Sequence, residues 1–214
     1  MRNPISAYIL SLTSLGVILL LCTMSCFGNL SDGETIPTTS QNMMGGKESI
    51  RLPTSFFRIE LDDLGKSFRP NFLDSSSYSI VKSNLVYLTQ EDDNPDLFAD
   101  TTQFYSLIMI TDLERMELNP TIGGIFYGRM QKNLDLAYAA DPNTDIKKVS
   151  TIFTPSGDKS MLKYKHAIID RVNRDRLIVY RGIYLYTNAS NSYGVFELTL
   201  GKDRDIEKYL WTLD

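Results

Sequence analysis

The sequence predicts an α+β domain: an antiparallel sheet with a C-terminal four-strand meander, packed by a mid-chain helix and a C-terminal helix. Three observations predict it. From Lys147 onward, apolar and polar residues alternate in four runs separated by short polar turns. Between Ile122 and Tyr138, apolar residues recur every four positions. At the end, Ile206, Tyr209, Leu210 and Leu213 stand at i, i+3, i+4 and i+7.

The elements follow in chain order. Arg2 precedes an uncharged stretch from Asn3 to Ser31, and Leu15-Gly-Val-Ile-Leu-Leu-Leu21 is its densest apolar part. A positive start, an apolar run and small residues near its end describe a signal peptide. The run closes on Leu21-Cys22-Thr23-Met24-Ser25-Cys26. This resembles a bacterial lipoprotein signal, in which a small residue precedes the cysteine that becomes the acylated first residue. Ser25 before Cys26 fits, whereas Thr23 departs from the leucine usual three residues before that cysteine. Cys22, behind bulky Leu21, fits less well. The resemblance implies residues 1–25 as signal peptide and Cys26 as the lipidation site. It also implies a place in the bacterial cell envelope, with the domain on the non-cytoplasmic side. An uncleaved anchor is the alternative, since about 20 apolar residues cross a bilayer.

Phe27 to Ser49 is rich in Gly, Ser, Thr, Asn and Pro and lacks apolar periodicity. It reads as a flexible tether, so that 26–49 is lipidated cysteine plus linker and 50–214 is one domain. Ile50-Arg-Leu-Pro53 and Phe56-Phe-Arg-Ile-Glu-Leu61 open that domain as strands. Asp62 to Ser77 is turn-rich. Leu85-Val-Tyr-Leu88 and Phe104 to Ile110 are strand-like, and the second is apolar on both faces, as a central strand is. Asn119 caps the long helix, and Pro120 suits its first turn, where a missing N–H costs nothing. Ile122, Phe126, Met130, Leu134 and Tyr138 form its stripe, widened by Ile125 and Ala137. The meander strands are Lys147 to Thr154, Met161 to Val172, Arg176 to Thr187 and Tyr193 to Leu200. Asp203 is the expected cap of the last helix.

This order resembles the PsbP/Mog1-like fold. The residues that carry the likeness are Leu52-Pro-Thr-Ser-Phe-Phe-Arg-Ile59, the Ile122 to Tyr138 helix, the strands Leu177-Ile-Val-Tyr180 and Tyr193-Gly-Val-Phe196, and Ile206-Glu-Lys-Tyr-Leu210. The likeness implies a fold and no shared function, because members of this fold have unrelated partners.

Composition and motifs narrow the chemistry. The formal charge of −4 argues against a nucleic-acid binder, which carries a basic stripe. Both cysteines lie in the first 26 residues, so no disulfide framework staples the domain. One histidine, His166, leaves no His-rich metal site. Gly65-Lys66-Ser67 resembles the end of a phosphate loop, but Glu60 stands where that loop needs glycine. Asp92, Asn94 and Asp96 begin like a calcium loop, but Leu97 and Gln103 occupy its glycine and acid positions; Asp141, Asn143 and Asp145 fail likewise at Ile146 and Ile152. His166, on the face of Leu162, Tyr164 and Ile168, reads as packing. The acids Asp62, Asp63, Asp112, Glu114 and Glu117 read as surface charge. No cofactor and no metal follow from these residues.

One cluster stands out. Tyr180, Tyr184 and Tyr186 share a strand face with Ile178 and Gly182. Tyrosine supplies contact area at low entropic cost, so this is a possible partner face, with Gly182 leaving a gap for the partner. Core packing beneath the helices is the other reading. The functional expectation is a non-catalytic, membrane-anchored envelope lipoprotein that binds a protein or supports an assembly, and binds the bilayer through acylated Cys26. An immunity or toxin-neutralising lipoprotein and a hydrolytic enzyme are the alternatives.

Overall fold

The computed structural model describes residues 36–60, 95–101, 105–138, 144–170 and 178–214. The chain divides into two units, Met1–Pro37 and Thr38–Asp214. The signal segment, Cys26, the Leu85 to Leu88 strand, the Gly65-Lys66-Ser67 motif, Asp62, Asp63, Asp92 and Asp141 lie outside the described residues.

Strand pairing begins earlier than the sequence suggests. β1 (Thr38–Met43) and β2 (Glu48–Pro53) form an antiparallel hairpin, Met43 opposite Glu48. A short 3-10 turn, Met44–Gly46, joins them. Gly45 and Gly46 have φ of 67° and 90°, a region that disfavours a side chain, so the glycine pair makes the reversal possible. The tether expected through Ser49 is therefore corrected from Thr38 onward. Its polar arm Thr38-Thr-Ser-Gln-Asn42 carries no apolar signal. It is a strand because β2 offers it a ladder and because Met43, Ile50 and Leu52 are fully buried.

The main sheet has seven antiparallel strands. They are β3 (Phe57–Ile59), β4 (Asp96–Asp100), β5 (Ser106–Leu113), β6 (Thr144–Ser156), β7 (Lys159–Asp170), β8 (Ile178–Thr187) and β9 (Ser192–Leu200). Their spatial order is β3-β4-β5-β9-β8-β7-β6. The last four are neighbours in sequence as well as in space, the meander the alternation predicts. β5 lies between β4 and β9 and buries both faces, Ile108 and Ile110 on one side and Leu107 and Met109 on the other. β6 is the last strand, and its pairing with β7 shifts by one residue between Lys148 and Ser150, a bulge at Val149.

Each face is covered by different elements. On the hairpin face, Phe98, Ile108, Ile110, Met161, Tyr184, Tyr186, Tyr193 and Val195 pack with Met43, Ile50 and Leu52 of the hairpin and with Ile206, Tyr209, Leu210 and Leu213 around the short helix α2 (Glu207–Leu210). The other, helix face carries α1 (Pro120–Tyr138). Phe126 and Leu134 of α1 pack with Leu162 and Tyr164, and Ile122 and Met130 adjoin them. Asn119 caps α1 as expected: its Oδ1 accepts from the N–H groups of Thr121 and Ile122, each at 3.0 Å. Ile125 does not widen the buried stripe; it is 55% exposed. Asp203 does not cap α2. Asp205 Oδ1 accepts from Glu207 N at 3.1 Å, because the Asp203 carboxylate pairs with Lys165 instead.

Candidate functional site

The tyrosine face resolves toward the core. Tyr184 and Tyr186 are 0% and 1% exposed. Tyr184 donates its hydroxyl to Glu197 Oε2 at 2.7 Å, and Tyr186 donates to the Leu213 carbonyl at 3.3 Å. Tyr186 also stacks on Tyr193 and meets Trp211 edge-on. Tyr180 is half-buried on the same strand. The partner face expected at Tyr180, Tyr184 and Tyr186 is thus corrected at Tyr184 and Tyr186, which pack with the hairpin and the C-terminal segment. The gap at Gly182 is also filled. A Cβ there would lie 2.7 Å from both Glu197 Oε2 and a ring carbon of Tyr184.

At the centre of this face lies a buried charge cluster. The strand register sets Lys165 of β7 opposite Gly182 of β8, and Gly182 opposite Glu197 of β9. The glycine between them lets the two long side chains meet above it. Lys165 Nζ reaches Glu197 at 3.0 Å, donates to the Arg204 carbonyl at 2.7 Å, and pairs with Asp203. An ammonium has three N–H donors, and these three acceptors use them all. The Glu197 carboxylate also accepts from Tyr184 and, at 3.2 Å, from Thr199, which meets the Ser106 hydroxyl at 3.2 Å. Arg204 extends the cluster outward. It donates to Asp100 Oδ2 at 2.7 Å and stacks over Phe56, while Ser55 donates to the same Asp100 oxygen. Burial works to lower the Lys165 pKa, and Glu197 and Asp203 outweigh it, so Lys165 is held above its usual value. Burial is the dominant influence on Glu197 and raises its carboxyl, offset in part by Lys165 and Tyr184. Burial and the neighbouring Glu197 together hold the Tyr184 phenol well above its usual range.

The strand members of this cluster are positioned by the sheet, and the loop residues Asp203 and Arg204 complete it. Its chemistry is cohesion: it ties the Gly201 to Ile206 loop, and with it α2, to strands β4, β7, β8 and β9. Sequence reasoning missed it. The signal was present as one acid and one base, Glu197 and Lys165, each set inside an apolar run of a meander strand.

The helix face holds a different polar group. His166 is 1% exposed, and neither ring nitrogen has a hydrogen-bond partner. Its strand neighbour across the ladder is Arg181, whose guanidinium lies 5.1 Å from the Phe196 ring centre. The Tyr164 ring lies 5.7 Å from the imidazole. Burial, and then the Arg181 charge, bring the imidazole down to about 3. His166 is therefore neutral at ordinary pH and sits as packing, as its strand position suggests. Asp112, Glu114 and Glu117 are exposed, as surface charge is. Asp96 supplies no calcium loop; it pairs with Arg58 and accepts from Met44 N.

No protein-family model matches this sequence, and no curated protein matches it. The chain is an α+β protein of antiparallel sheet and two described helices, and it is similar to solved structures of the kind named from the element order. One is PsbP (CyanoP) from Synechocystis sp. PCC 6803, with a TM-score of 0.48, 8% identity and coverage of 87% of this chain and 97% of that one. Another is the Ran-binding protein Mog1p of Saccharomyces cerevisiae, with a TM-score of 0.38, 8% identity and 79% coverage of each chain.

Proposed function

We propose that this protein is a non-catalytic binding module, held at a membrane by acylated Cys26 and displayed on the non-cytoplasmic side of a bacterial envelope. The observation that carries the non-catalytic reading is the closure of the Lys165–Glu197 cluster. Three acceptors surround the ammonium, and Lys165, Tyr184 and Thr199 surround the carboxylate. A group that acts on substrate needs a donor or lone pair directed at that substrate. The anchor reading is supported by the uncharged Asn3 to Ser31 stretch and by Ser25-Cys26 within it. The binding partner, a protein, docks on exposed surface and not on Tyr184 or Tyr186, which the core holds.

The test is acyl labelling of the full chain in a bacterial host. Cys26→Ala is expected to abolish labelling and to release or mis-sort the protein. Persistent labelling of that variant would remove Cys26 from the reading. Retention of the partner by an exposed-surface variant series, with loss at one patch, would locate the docking face.

A further inference from the structure

We propose that the outward stripe of α1 rests on anionic phospholipid headgroups; this builds on the membrane-anchored reading above. Ile125, Arg129, Lys132 and Leu136 stand at i, i+4, i+7 and i+11. At about 100° per residue they fall within roughly 60° of one another, opposite the buried Leu134, with the buried Phe126 roughly 60° beyond Arg129. Leu136 is 70% exposed and Ile125 is 55% exposed, the two most exposed large apolar side chains among the described residues.

The charges between them choose the occupant. Arg129 and Lys132 lie on the stripe of a chain whose formal charge is −4, so the stripe is cationic against the overall sign. The acid on this stretch, Asp135, lies off to one side and accepts from Gln131 Nε2 at 2.9 Å. Long basic side chains can lay their stems along an apolar layer and keep their charges among phosphates. Gly124 and Gly128 flank the stripe, and a Cβ at either would meet nothing within 4 Å, so the helix backbone can lie close to a flat surface.

Spacing separates a bilayer from a protein groove. Ile125 and Leu136 are 11 residues apart, about 16 Å along a helix. A groove that takes a helix grips anchors at i, i+3, i+4 and i+7. Two apolar residues a full three turns apart with cations between them match an extended interface of lipid and headgroup.

The experiment places a fluorophore on the stripe of the full chain. Leu136→Trp and Ile125→Trp are reconstituted into vesicles of phosphatidylcholine, with or without phosphatidylglycerol, containing bromine-labelled acyl chains as quencher. The unaltered chain, with Trp211 alone, supplies the baseline. Quenching of the added tryptophan is expected in vesicles containing phosphatidylglycerol and not in neutral ones. Arg129→Glu with Lys132→Glu is expected to weaken the phosphatidylglycerol-dependent association by about tenfold or more and to abolish that quenching. Acyl labelling of Cys26, read on the same sample, reports the anchor independently. A protein that is acylated and floats with vesicles, but in which the tryptophan introduced at either position stays unquenched, overturns the stripe and spares the anchor. Phosphatidylglycerol-dependent quenching without acylation sustains the stripe and overturns the anchor. Equal quenching in neutral and anionic vesicles, or cross-links from the stripe to a second copy or to an acidic protein, also overturn the proposal.

Discussion

Two buried polar sites, the Lys165–Glu197 cluster on the hairpin face and His166 on the helix face, meet burial in opposite ways. On the hairpin face, Lys165, Glu197, Tyr184, Thr199, Asp203 and Arg204 are charged or hydroxylated and are used by one another. On the helix face, His166 is buried with both nitrogens unpartnered and stays neutral. A buried charge is tolerable when its partners are complete, and its loss is costly; a buried neutral ring without partners costs on arrival and little on removal. The difference teaches that a polar residue inside a strand run is not one signal. Its meaning depends on whether the neighbouring strand brings its complement.

Four changes break or sharpen this comparison. The largest effect is expected from Glu197→Ala, which leaves Lys165 buried with Asp203 and a carbonyl as its remaining acceptors. A loss of about 3–5 kcal/mol is expected in chemical denaturation. A loss below about 1 kcal/mol would mean that the cluster holds nothing together. Gly182→Ala is next. Its new methyl meets Glu197 and the Tyr184 ring at 2.7 Å, and a loss of about 1–3 kcal/mol is expected from the forced shift.

The third is a pH test that sets the faces against each other. The His166 pKa falls from 6.5 unfolded to about 3 folded. Between those values the unfolded chain binds the proton and the folded one does not, so this group's contribution is full above 6.5 and is lost as pH falls toward 3. Glu197 runs the other way. Its folded pKa is raised above 4.5, so its contribution is full below 4.5 and is lost as pH rises through the folded value. His166→Leu is therefore expected to flatten the acid loss of stability between pH 6.5 and 3, read as Tm against pH. An unchanged acid limb would show that His166 does not carry it. The smallest effect is expected from Gly128→Ala on the helix face. Its Cβ enters open space and an exposed helix gains up to about 1 kcal/mol, again read by chemical denaturation.

Much of the fold was legible because its periodicities are local. Asn119, Ile122, Phe126 and Leu134 announce α1 within a few turns, and the four meander strands alternate in the order in which they pair. The hairpin was not legible at its first arm. Thr38 to Asn42 are polar, and what makes them a strand is the ladder to β2, which sequence pattern does not display. The candidate site was half legible. Tyr184 and Tyr186 were visible as a cluster, but their fate depended on what covers them, and the covering Leu213 lies 27 residues beyond Tyr186. Lys165 and Glu197 are 32 residues apart and become partners only through the register that sets Gly182 between them. Asp203 shows the same limit: as a cap it is a local reading, and a lysine from another strand draws it away.

The bulge at Val149 has a consequence for whether copies of this chain can join edge to edge at β6. β6 ends the sheet, and among the described residues no strand pairs with its outer side. Val149 and Ile152 are 40% and 44% exposed there, so the edge has the apolar content of a strand that could recruit another chain. The register shift kinks that edge in its middle, Lys147 and Lys148 repel a like edge, and Pro155 withholds a donor near its end. At this edge, a strand that resists pairing keeps neighbouring copies as separate molecules and prevents them from extending one sheet into a fibre.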